Sequence, residues 1–147
     1  MQINSIKIKN FRNISELEFD VDPDKNVLYG GNGQGKTNIR EAIWLFTGAR
    51  SFRNAKEKDL IKFGEESAKI TIDFVGYGTQ KTADIIIDSK DKQFFLNGKK
   101  VSSAGKFLRT FSAVSFSPDD LRIVKEEPEF RRKFLDSLIS RCDPPFV

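Results

Sequence analysis

Residues 30–37 read Gly30-Gly31-Asn32-Gly33-Gln34-Gly35-Lys36-Thr37. They fit the pattern G-x-x-x-x-G-K-S/T, and nothing else in the chain constrains its fold as much. The pattern has physical meaning only where a strand feeds a glycine-rich loop that opens into a helix. Polyphosphate concentrates negative charge, so a site for it must aim many donors at one place. Glycines allow positive φ and let the backbone approach phosphate with no Cβ in the way. Successive N–H groups form an anion-binding nest, and the helix N-terminus adds free N–H groups and partial positive charge. Gly30, Gly31, Asn32, Gly33, Gln34 and Gly35 would supply the loop. Lys36 would reach the β- and γ-phosphates, and the Thr37 hydroxyl would ligate Mg²⁺. ATP and Mg²⁺ are therefore the expected ligands.

The flanking residues suit this context. Asn26-Val27-Leu28-Tyr29 is a short apolar strand candidate. Ile39, Ala42, Ile43 and Phe46 recur at helical spacing, predicting a helix over 36–47 stopped by Gly48. The bland alternative, a glycine loop that binds nothing, does not explain why the four glycines and Lys-Thr fall in register between those elements.

With 147 residues the chain is long enough for one domain with a core. Fourteen Phe argue for a packed interior. No run of 18 apolar residues exists to form a membrane span, and the N-terminus lacks a signal-peptide apolar run. Cys142 is single, so no intrachain disulfide can form. A cytoplasmic location with no membrane partner is the expectation. The net charge of +4 is compatible with a polyanionic partner, although many unrelated domains reach it. The absence of His excludes His general bases, Ser-His triads and His-ligated metals within the chain.

Ile6 and Ile8 alternate with Lys7 and Lys9, predicting a half-exposed strand over 2–9. Leu17, Phe19 and Val21 alternate with acids, predicting a second strand antiparallel to it. Residues 49–58 form a basic loop, and Asp59 to Phe63 a helical turn ended by Gly64. Between about 65 and 102, alternating segments and the Asn97-Gly98 hairpin signal predict an antiparallel meander. Further on, a short helix is expected over 103–109 and a strand over 113–116. Helices should start at Ser117-Pro118 and Pro128. The expected fold class is α/β: a P-loop NTPase core, about 1–48 and 110–147, carrying a β-meander subdomain in one lobe spanning 1–147.

A complete P-loop ATPase also needs an apolar strand ending in an acid for the Mg²⁺ shell. Ile85-Ile86-Ile87-Asp88 mimics one, but Ser89 follows and the stretch lies in the hairpin region, so it reads as an ordinary strand end. Val114 to Asp119 is interrupted by Ser and Pro. No Leu-Ser-x-Gly run is present to contact nucleotide from a partner subunit. Alone, the chain should bind ATP and turn it over slowly or not at all.

Beyond the P-loop, the chain carries Phe11-Arg12-Asn13, Asp59-Leu-Ile-Lys-Phe-Gly64, Phe116-Ser-Pro-Asp-Asp-Leu121 and Arg131-Arg132-Lys133-Phe134-Leu135-Asp136. In this order the set resembles the N-terminal part of the RecF family, bacterial recombinational-repair ATPases related to SMC proteins and ABC ATPases. The resemblance covers essentially the whole chain and implies lobe I of an ABC-type ATPase head. It implies ATP-dependent homodimerisation, with nucleotide sandwiched between one P-loop and the other subunit's signature motif. It also implies binding of DNA at single-stranded/double-stranded junctions and work with recombination mediator proteins in gap repair. Those activities need parts this chain lacks. By the same resemblance Asn38 lies near the metal, Arg12 near the phosphates, and Arg50 and Arg53 in a loop that senses nucleotide and DNA. Each could equally be a solvated surface residue. Where SMC-type heads place a Gln near Mg²⁺, this chain offers Ser117, Asp119 or Asp120, which helix capping explains as well. A different class of reading stays open: a non-catalytic DNA-binding or scaffold module whose basic loops do the work. A GTPase is disfavoured because no Asn-Lys-x-Asp run occurs.

Overall fold

The computed structural model of the protein describes residues 1–48, 50–53, 55–101, 110–111, 113–116, 128, 132 and 135. The chain divides into two units, Met1–Ala113 and Val114–Val147. The first contains β1 (Gln2–Phe11), β2 (Ile14–Asp20), helix α1 (Lys36–Leu45), a 3-10 turn (Glu57–Leu60), β3 (Ser67–Gly76), β4 (Thr79–Asp88), β5 (Lys92–Leu96) and β6 (Lys99–Lys100).

Alternation of apolar and polar residues makes these segments strands with one buried face. They form one antiparallel sheet in the order β2-β1-β3-β4-β5-β6. The register aligns Ile6 with Ile72, Ile8 with Ile70, Ile70 with Ile85, and Ile85 with Phe94. All of these are buried, so slipping any pair by one residue would turn its isoleucines outward. The opposite face is held by polar cross-strand pairs. Asp73 accepts from Ser5 Oγ at 3.0 Å and Thr82 Oγ1 at 2.5 Å, and Lys69 pairs with Asp84 at 3.0 Å. Two hairpin turns explain themselves locally. Tyr77-Gly78 and Asn97-Gly98 have positive φ at both central residues, the conformation that matches strand twist in a two-residue turn.

Helix α1 lies between β2 and β3 in sequence and packs on the buried face of the sheet. Ala42 and Leu45, with Phe46 just after the helix and Leu60 of the 3-10 turn, join the sheet isoleucines in one core. Phe111 closes it, its ring 5.4 Å from that of Phe46 and 4.8 Å from that of Phe74. Each such large side chain contributes about 1.5–3 kcal/mol by leaving water, so this layer is the main source of stability.

The structure differs from expectation in four places. Residues 26–29 do not form a strand: Val27, Leu28 and Tyr29 are exposed, Tyr29 at 90%. A strand exists through its ladder, and among the described residues none pairs with this stretch. Residues 113–116 likewise form no strand, and Val114 and Phe116 are exposed. The turn expected at 59–63 begins earlier, at Glu57, because the Asp59 carboxylate accepts the Lys56 amide and closes the turn there. Helix α1 ends two residues early, with Phe46 to Gly48 as a turn whose Gly48 has φ 72. The helix expected over 103–109 lies outside the described residues. Of the helix expected from Pro128, only Pro128, Arg132 and Leu135 are described, and all three are helical and exposed. Among the described residues no helix is long and apolar enough to cross a membrane.

Candidate nucleotide-binding site

The glycine-rich stretch forms a loop that turns directly into α1. Gly30, Gly33 and Gly35 have φ of 142, 79 and 92, so the bends fall at glycines, which alone adopt them without strain. Gly35 is buried and precedes the first helical residue. A Cβ there would lie 3.1 Å from Asn13 Oδ1 and 3.4 Å from Ile14 Cγ1, so the loop is held close against the β1–β2 turn. The first intrahelical bond runs from Ile39 N to Gly35 O at 2.9 Å. The helix start carries no side-chain cap and no acid in its first turn. Its leading N–H groups therefore have no competing carboxylate and remain available to an anion.

Lys36 Nζ donates to the carbonyls of Gly30 and Gly31, both at 2.6 Å. The ammonium is thus folded back over the loop. Thr37 is exposed in the first helical turn. A cavity of about 240 Å³ is lined by residues 32–38 and Arg53. A second depression, of about 530 Å³, shares Asn38 and Arg53 with it and adds Arg12, Asn13, Lys62 and Phe63.

Behind the loop runs a chain of polar contacts. Asn13 Nδ2 donates to Gly33 O at 2.8 Å, and Asn38 Nδ2 donates to Asn13 Oδ1 at 2.8 Å. Arg53 Nη1 donates to Asn38 Oδ1 at 3.0 Å. Arg12 makes a two-pronged contact with Glu41, Nε to Oε2 at 3.0 Å and Nη2 to Oε1 at 2.8 Å, while its Nη1 donates to Asp59 O at 2.8 Å. The Glu41 side chain is fully buried. It also accepts a short hydrogen bond from Ser51 Oγ, and Arg53 Nη1 stands 4.0 Å away.

The structure therefore brings Lys36, Thr37, Asn38 and Arg53 to one cavity, with Arg12 at the neighbouring depression and tied to Glu41. Arg50 is exposed and its carbonyl accepts from Trp44 Nε1 at 3.1 Å. Ser117, Asp119 and Asp120 lie outside the described residues. Asp88 ends β4, where its carboxylate accepts the amides of Lys90 and Asp91, both at 2.8 Å. Those bonds hold its pKa below the usual carboxylate value. Its depression is lined by residues of 58–66 and 88–90 rather than by the glycine loop. Among the described residues no cluster of acids, His or Cys could hold a metal by itself. A cation at this site would rely on Thr37 and on the oxygens of the bound anion.

Asn13, Glu41 and Ser51 escape a reading of the sequence. For Glu41 one signal exists: it lies beside Ala42 on the side of α1 that carries Leu45, where an acid is out of place unless paired. Its partners come from two distant loops, and no local pattern connects them.

The family model described as AAA ATPase domain matches residues 1–138. The DNA replication and repair protein RecF of Clostridioides difficile (strain 630) is 36% identical over 146 residues, covering 99% of this chain and 39% of that protein. A solved structure described as the recombination mediator protein RecF-ATP in the RecFOR pathway superposes with a TM-score of 0.86 at 37% identity. It covers 98% of this chain and 39% of the solved one. The SMC head domain from Thermotoga maritima shares the fold, with a TM-score of 0.62 at 22% identity over 76% of this chain and 43% of the head domain. The chain thus spans about two fifths of the length of the RecF relative it matches.

Proposed function

The chain belongs to the AAA ATPase domain family, and from that premise we propose that it is the ATP-binding lobe of a RecF-type DNA replication and repair protein. One observation carries the reading. The glycine loop ends on a helix start with no acid and no cap, and Lys36 and Arg53 flank the same small cavity. That arrangement suits a polyphosphate and little else.

A bound triphosphate would offer the Lys36 ammonium charged oxygens in place of the two neutral Gly30 and Gly31 carbonyls it now meets. The N–H groups of the loop and the first turn of α1 would donate to the phosphate oxygens. Arg53 lines the same cavity and would supply a second cation to the phosphates, and Asn38 Oδ1 steadies it by accepting from its Nη1 at 3.0 Å. The exposed Thr37 hydroxyl is the group of this chain that would hold Mg²⁺, which would supply charge neutralisation to the phosphates. Arg12 supports the site from behind through Glu41. Among the described residues no apolar acid-ended strand lies beside the loop, and the reading assigns these residues nucleotide binding.

Support for DNA as the partner of the whole protein comes from the relatives' description and from the exposed Arg50 and half-exposed Arg53 on the loop after α1. In this reading ATP on the P-loop brings two heads together, and junction DNA and recombination mediators engage the dimer. Calorimetric titration of ATP·Mg²⁺ into the chain and its Lys36→Ala variant tests the core of the proposal. Binding in the unmutated chain and its loss in the variant is the expected result. Salt-sensitive DNA binding indifferent to ATP and to Lys36, with no nucleotide binding, would favour the non-catalytic DNA-binding module instead.

A further inference from the structure

We propose that Glu41 is a positioning residue that fixes the loop carrying Arg53 against the P-loop helix and so sets the phosphate-facing guanidinium in place. The proposal rests on the reading of the glycine loop as a nucleotide site.

Glu41 is a carboxylate with no exposed surface on a helix whose other buried residues are Ala42 and Leu45. A charge in such a place persists only when hydrogen-bonded and paired. Its donors come from both flanks of the cavity: Arg12 from the β1–β2 turn, and Ser51 from the loop after α1. Ser51 Oγ in turn accepts the Arg53 amide at 3.0 Å. The backbone of Arg53 is thereby tied to Glu41 through one hydroxyl, while its guanidinium bridges Asn38 on one side and approaches Glu41 on the other. A long, rotamer-rich arginine held at both ends loses less freedom when it meets a phosphate, and so binds it more tightly. Removing the carboxylate should release the loop without touching Lys36 or the glycines.

Trp44, the single tryptophan of the chain, reports the loop position. Its Nε1 bonds the Arg50 carbonyl and its ring meets Phe52 edge-on, with centroids 6.5 Å apart.

The experiment uses the 147-residue chain with Glu41→Gln, Ser51→Ala, Arg53→Ala and the pairwise combinations with Arg53→Ala. Ser51→Ala leaves the Arg12–Glu41 pair intact and guards against a variant that fails to fold. ATP·Mg²⁺ affinity should fall roughly tenfold in Glu41→Gln, the scale of one charge-assisted hydrogen bond, and by several-fold in Ser51→Ala. Neither loss should add to that of Arg53→Ala, because both act through it. Acrylamide quenching of Trp44 in the nucleotide-free variants should rise. Additive losses in folded double variants, which a merely structural role predicts, overturn the proposal, as does unchanged affinity. If the unmutated chain binds no ATP·Mg²⁺, the nucleotide reading fails, and Trp44 decides the role of Glu41 by itself. Increased quenching in both variants then upholds Glu41 as the loop's anchor, and unchanged quenching refutes it.

Discussion

Replacing Arg12 by Ala tests the buried charge at the centre of this lobe. Glu41 has no exposed surface and Arg12 retains 18% of its side-chain exposure, so the pair is screened little by water. Removing the guanidinium takes away two charge-assisted hydrogen bonds at 3.0 and 2.8 Å and leaves a buried carboxylate with Ser51 as its hydrogen-bond donor among the described residues. Breaking a buried pair by deleting one partner costs about 3–5 kcal/mol. The lower end applies here, because Arg53 at 4.0 Å can swing in to compensate. For a domain of this size that corresponds to a fall in Tm of roughly 6–20 °C. Urea denaturation measures the difference directly. The double variant Arg12→Met with Glu41→Leu removes both charges at similar volume and should recover most of the loss. A cost below about 1 kcal/mol for Arg12→Ala, the range of exposed ion pairs, would refute the claim that this pair is desolvated. So would a double variant less stable than the single.

Gly35→Ala and Gly33→Ala should separate space from conformation. Both positions have positive φ, costing an alanine about 1–2 kcal/mol, but only Gly35 would also press a Cβ against Asn13. Thermal melts should therefore show Gly35→Ala as the more destabilised, and the reverse order would contradict the loop geometry. Asp88→Asn keeps an acceptor for the Lys90 and Asp91 amides but removes the charge. The folded-state pKa of Asp88 is lowered from its ordinary 3.8 by those amides. Its charge therefore contributes stability in full above that value and loses it as pH falls through the lower folded pKa. The stability gap between the unmutated chain and Asp88→Asn, followed by denaturation from neutral pH downward, should be flat at first and close only under acid conditions. A gap constant to the most acid point would count against it.

The P-loop motif and the RecF-like residues around it were legible from the sequence, and relatives named RecF at 36–40% identity bear that resemblance out. The meander was legible too, because alternation places Ile70, Ile72 and Phe74 on one face whatever lies beyond, and Asn97-Gly98 specifies its turn without outside help. These are local features: periodicity, turn chemistry and glycine placement act over a few residues. Pairing is not local. β1 joins β3 across the intervening P-loop and α1, making one sheet of segments that a reading along the chain keeps apart. The apolar residues 26–29 have the composition of a strand, yet a strand needs a neighbour, and among the described residues none pairs with them. Glu41 shows the same division. Its place on the apolar side of α1 can be read from spacing. That Arg12 and Ser51 converge on it, and that Arg53 lines the cavity beside the glycine loop, depends on how two distant loops close over one helix, because a buried charge takes its partners from space rather than from sequence.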